Sequence, residues 1–79
     1  MKKQKLKYLK LKYLRERMGC KQVVLAKLIG VTPCQYSRKE NGTQPWSLEE
    51  CIILKEFINQ RLNERLTIEE IFLAEKIGK

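Results

Sequence analysis

The sequence predicts an all-α fold, on three observations. Apolar residues recur at three- and four-residue spacing along most of the chain. The pattern Ser/Thr-x-x-Glu/Gln, which closes the first turn of a helix, occurs three times, starting at Thr32, Ser47 and Thr67. No segment keeps the strict apolar–polar alternation of a half-buried strand. With 79 residues, one domain over 1–79 is expected. Its core must be thin, because a domain of this size buries only about 60% of its unfolded surface.

The elements follow in order. Residues 1–5 form a basic N-terminal arm. A first helix is predicted over 6–18, where Leu11, Leu14 and Met18 fall at i, i+3 and i+7, widened by Tyr8, Leu9 and Tyr13, and Gly19 stops it. A second is predicted over 22–29, with Leu25, Leu28 and Ile29 apolar and Gly30 free to take a left-handed turn. A third, over 33–41, has the best-marked start. Thr32 caps it, Pro33 suits the first helical position, Gln35 completes the box, and Val31 and Tyr36 occupy the staple positions. Asn41-Gly42 breaks it.

A fourth helix is predicted over 48–63. Ser47 pairs with Glu50 in its box, Trp46 and Cys51 form its staple, and its expected inner face is Leu48, Cys51, Ile52, Lys55, Ile58 and Leu62. The fifth, over 68–76, follows Thr67 with Glu70, stapled by Leu66 and Ile71. The expected core joins Leu14, Leu25, Ala26, Ile29, Val31, Tyr36, Leu48, Ile52 and Ile71.

Charge is distributed unevenly. Residues 1–21 carry nine Lys or Arg against Glu16 alone, which accounts for the whole net charge of +8. The remainder sums to zero, and the stretch from Ser47 to Lys79 leans acidic. One strongly positive end suits a polyanion, and nucleic acid is the usual one. No apolar run approaches the roughly 18–20 residues that span a membrane, and no apolar stretch of a secretory signal follows the basic start, so a cytoplasmic location is expected. The apolar face of the first helix is needed by the core, which argues against lying on a membrane surface.

Cys20, Cys34 and Cys51 stand far apart in a chain without histidine, so no metal site is expected and the cysteines are read as free thiols. There is no nucleophile with a base beside it, no phosphate loop and no cofactor motif, so no enzyme and no cofactor are expected. No stacking platform for single-stranded RNA is visible either.

The stretch from Gln22 to Lys39 carries the functional signal. Two short helices joined by a tight turn containing Gly form a helix-turn-helix, and its requirements are steric. Leu25 and Ile29 must reach the core. Ala26 must be small where the third helix crosses. Gly30 must take the turn, and Val31 and Tyr36 must pin the third helix down. All six positions are suitably filled.

With Leu14-Arg15, Gln22, Leu25-Ala26, Leu28 to Thr32, Tyr36 to Gly42, Pro45, Ser47-Leu48-Glu49 and Leu66 to Phe72, the chain resembles the XRE/Cro-type helix-turn-helix domains. The resemblance covers about Leu11 to Phe72 and implies a five-helix, λ-repressor-like bundle that binds double-stranded DNA. The third helix enters the major groove while the second crosses the backbone. It implies base contacts from Gln22, Cys34, Gln35 and Arg38, with Arg38 the best match to guanine through its planar fork. Backbone contacts are expected from Lys3, Lys5, Lys7, Lys21, Ser37 and Asn41. Arg15 and Glu40 are expected to form a structural ion pair between the first and third helices.

Three features depart from the pattern. Lys39 stands where the family usually has a large apolar residue, and its stem is expected to cover the core while its head snorkels to solvent. Val23 and Val24 replace acidic residues, and two readings stay open for them: an exposed apolar spot for a protein contact, or burial against the first helix. The loop Gly42 to Pro45 lacks the basic residues that often bind phosphate there. The fourth helix is also about six residues longer than usual.

The function expected is that of a sequence-specific transcriptional regulator, phage- or plasmid-repressor-like. The competing reading is a protein-interaction module on the same scaffold, antirepressor- or antitoxin-like. A homodimer is expected, joined through Leu62, Leu73, Ala74 and Ile77 as an isologous patch.

Overall fold

A computed structural model describes residues 8–73, so the basic arm with Lys3, Lys5 and Lys7, together with Ala74 and Ile77, lies outside the described residues. Five helices are present: α1 (Leu9–Arg17), α2 (Gln22–Ile29), α3 (Pro33–Asn41), α4 (Leu48–Leu62) and α5 (Ile68–Phe72). No strand occurs among the described residues.

Local chemistry sets the helix ends. Thr32, Ser47 and Thr67 each accept a hydrogen bond from the backbone N–H three residues on, and Gln35, Glu50 and Glu70 each reach back to the capping residue's own N–H. All three capping boxes are thus closed, so each of these helices has two of its otherwise unpaired first-turn donors satisfied. Gly30 takes φ 75° between α2 and α3, the left-handed conformation the turn demands. Asn63 does the same at the end of α4, where its φ is 56°.

The core is built from all five helices. Leu11 and Leu14 of α1, Leu25 and Ala26 of α2, Tyr36 of α3, Cys51, Leu54 and Ile58 of α4, and Ile71 and Phe72 of α5 form one buried cluster. Ile29 and Val31 pack against it while half-buried. An edge-to-face aromatic group of Tyr8, Tyr36, Trp46 and Phe72 closes one side, with ring centroids 5.1–6.3 Å apart.

The expected inner faces of three helices need correction. Leu48 is 69% exposed and Ile52 38% exposed, and neither belongs to the core. The buried stripe of α4 is Cys51, Leu54 and Ile58, at i, i+3 and i+7, and Ile52 sits 100° around the helix from Cys51. This helix has apolar residues on more than one face, and the neighbouring helices select which face is covered. On α1, Leu9 and Tyr13 point outward for the same reason, and on α2 Leu28 does so.

The α4–α5 connection is fixed by one side chain. Asn59 donates from Nδ2 to the carbonyl of Leu66 at 3.0 Å and accepts from the Leu66 N–H at Oδ1, 2.9 Å. The long fourth helix therefore returns to the bundle through a pair of hydrogen bonds that mimic a backbone pairing.

Candidate nucleic-acid interface

The outward face of α3 is defined by what its inward face binds. Glu40, buried near the end of the helix, is the centre of a polar network. Its carboxylate accepts from Arg15 Nε at 2.8 Å and Nη2 at 3.1 Å, from Tyr36 Oη at 3.0 Å, and from Gln22 Nε2 at 2.9 Å. Arg15 also donates from Nη1 to the carbonyl of Cys20 at 3.1 Å, within the link between α1 and α2. The Arg15 side chain is 11% exposed and that of Glu40 only 4%.

One carboxylate thus joins α1, α2 and α3. Its hydrogen bond raises the Arg15 pKa above the ordinary guanidinium value, even though burial works the other way. Burial, then the charge of Glu40, pushes the Tyr36 hydroxyl well above the usual phenol range, so it stays a donor. The backbone N–H of Tyr8 adds a further tie, donating to the carbonyl of Glu40 at 3.0 Å.

Gln22 belongs to this network, with one amide hydrogen committed to Glu40 and the side chain only half-exposed. Sequence reasoning assigned it to DNA alone and missed this inward bond, because the partner lies eighteen residues away.

Lys39 corrects a second expectation. Its head does not snorkel. Its ammonium is buried, donating to the carbonyl of Pro45 at 2.8 Å and to Glu50 Oε1 at 2.9 Å, and lying 5.5 Å from the centroid of the Trp46 ring. The loop between α3 and α4 folds back over it, so a cation occupies the place of an apolar side chain with all its neighbours matched to a charge. Burial works to raise the Glu50 pKa, but Lys39 and the Ser47 amide outweigh it and hold the carboxyl below its ordinary value. The carbonyl of Arg38 accepts from the N–H groups of Thr43 and Gln44 and from the Thr43 hydroxyl, which tightens the same loop.

With Tyr36, Lys39 and Glu40 turned inward, Cys34, Arg38 and Asn41 are left exposed along one side of α3, and Ser37 is half-exposed beside them. No acidic side chain among the described residues forms an ion pair with Arg38. Gln35 is half-exposed, and its Oε1 accepts from the N–H of Thr32 in the capping box, so its carbonyl is engaged in the helix start. Lys21 is exposed at the N-cap of α2. Of the three thiols, Cys20 and Cys51 are buried and Cys34 is exposed. No cluster of metal-ligating side chains and no membrane-spanning helix occurs among the described residues.

Among models of protein families, one described as helix-turn-helix matches residues 11–65. No curated protein matches the chain.

Proposed function

We infer that this chain, which belongs to the XRE-type helix-turn-helix family, binds double-stranded DNA sequence-specifically and regulates transcription in the manner of a phage or plasmid repressor. The family is one of DNA-binding regulatory domains rather than enzymes. In this reading α3 enters the major groove and α2 crosses the backbone.

The observation that carries it is the division of α3 into two faces. Every charged group on its inner side is matched within the protein, while Arg38 stands on the outer side with no acidic partner among the described residues. A guanidinium carried on a fixed helix and left without an internal partner can offer its fork to the O6 and N7 of guanine. Cys34, Gln35 and Asn41 flank it. Gln22, fixed by Glu40 through one amide hydrogen, retains its other hydrogen and its oxygen for a phosphate or a base edge. Lys21, Ser37 and Asn41, with Lys3, Lys5 and Lys7 of the arm, supply backbone contacts.

Selection of bound fragments from random duplex DNA tests the reading. A defined preferred site is expected. Arg38→Ala should then cost about 1–3 kcal/mol at that site and flatten the preference at one position. Equal losses on selected and random DNA would remove Arg38 from base recognition.

A further inference from the structure

Two apolar faces of opposite charge are left uncovered on different helices. On α2, Val23 is 45% exposed and Val24 and Leu28 are each 39% exposed. Val24 and Leu28 lie one turn apart, as do Val23 and Lys27, so the four share one outward face, with Lys21 at its start. Lys21 and Lys27 are exposed, and no acidic residue occurs anywhere from Arg17 to Lys39.

On α4 the exposed Leu48 and Ile52 also lie one turn apart, and the exposed Glu49 and Glu56 share their side of the helix. Lys55, half-buried, borders the other edge of this stripe, against the α4–α5 loop. Lys21, Lys27, Glu49 and Glu56 form no ion pair among the described residues.

We propose that the basic apolar face of α2 docks on the acidic apolar face of α4 of a second copy, head to tail. Apolar side chains meet apolar side chains, and Lys27 of one helix meets Glu49 and Glu56 of the other while Lys21 stays with the DNA backbone, so each face has the chemistry the other lacks. Phosphate would gain nothing from Val23, Val24 and Leu28, which favours a protein occupant for α2. Because the two faces differ, each copy keeps one free face after docking, and association continues instead of closing at two. Such contacts would let neighbouring copies bind DNA cooperatively.

This arrangement differs from the isologous pairing expected through Leu62, Leu73, Ala74 and Ile77. Leu62 packs against the core and Leu73 is half-buried, while Ala74 and Ile77 lie outside the described residues. The proposal does not depend on the DNA reading.

Sedimentation equilibrium of the full chain at low salt, where exposed charges are least screened, tests it. The average mass of the wild type should rise with concentration through and beyond the dimer. Lys27→Glu, and separately Leu48→Ser with Ile52→Ser, should each weaken association about tenfold or more. An equimolar mixture of these two variants still offers one intact α2 face and one intact α4 face. It should therefore form a 1:1 pair that grows no further.

All the substituted side chains are exposed, and circular dichroism will verify that the variants keep their helices. A wild type that stays monomeric or stops at the dimer overturns the proposal, as does a mixture that forms no pair. So does a Lys27→Glu variant that loses duplex affinity while its mass distribution is unchanged, which would assign the α2 face to phosphate.

Discussion

Glu40 is a carboxylate placed almost wholly out of water and supplied with four hydrogen-bond donors. Removing it strands the Arg15 guanidinium in the core, and a buried charge without its partner is costly. Glu40→Ala should therefore lower the unfolding free energy by roughly 3–5 kcal/mol, read from denaturant midpoints. A loss under about 1 kcal/mol would mean that the pair behaves as though solvent-exposed. Glu50 gives a pH signature. Its folded pKa lies below its ordinary value, so between the two values the unfolded chain binds more protons. Stability from this group is present above the ordinary carboxylate range and is lost as pH falls through the folded value. Glu50→Gln should thus lower Tm most near neutral pH, with the gap to wild type shrinking in acid. A gap independent of pH would show that the charge of Glu50 contributes nothing.

At the scale of elements, the turn between α2 and α3 rests on two local devices that can be tested separately. Thr32→Ala removes the acceptor for the Gln35 N–H and should cost about 1 kcal/mol. At Gly30 an added methyl would meet no atom within 4 Å, so Gly30→Ala isolates backbone strain from crowding. With φ at 75°, a cost of roughly 1–2 kcal/mol is expected, and a neutral result would mean that the turn relaxes into another conformation. Such devices are legible in sequence because they span four residues or fewer, and the ends of α2 and α3 fall where the sequence puts them. The inner face of α4 was not legible in the same way. Leu48, Cys51, Ile52, Leu54 and Ile58 spread around the helix, and periodicity alone gives no preference among overlapping stripes.

Across the whole molecule, charge is segregated, with net +8 in residues 1–21 and none in sum beyond. Replacing Lys3, Lys5 and Lys7 with Gln should weaken binding to every duplex alike. For each phosphate that the arm no longer neutralises, the slope of log affinity against log salt should become shallower by about 0.9. An unchanged slope would free the arm from any phosphate role. The sequence by itself determined the helical class, the three capped helix starts, the glycine turn and the basic end, because propensity, capping and charge act through neighbours in the chain. Tertiary structure decided which side chains share a partner. Lys39 is buried only because Pro45, Trp46 and Glu50 fold over it, and Gln22 turns inward only because Glu40 is brought beside it. Likewise, Leu48 and Ile52 are left outside because Cys51, Leu54 and Ile58 meet the other helices first. A charge can replace an apolar side chain in a core only when its matching groups arrive from distant positions, and adjacency along the chain carries no record of that.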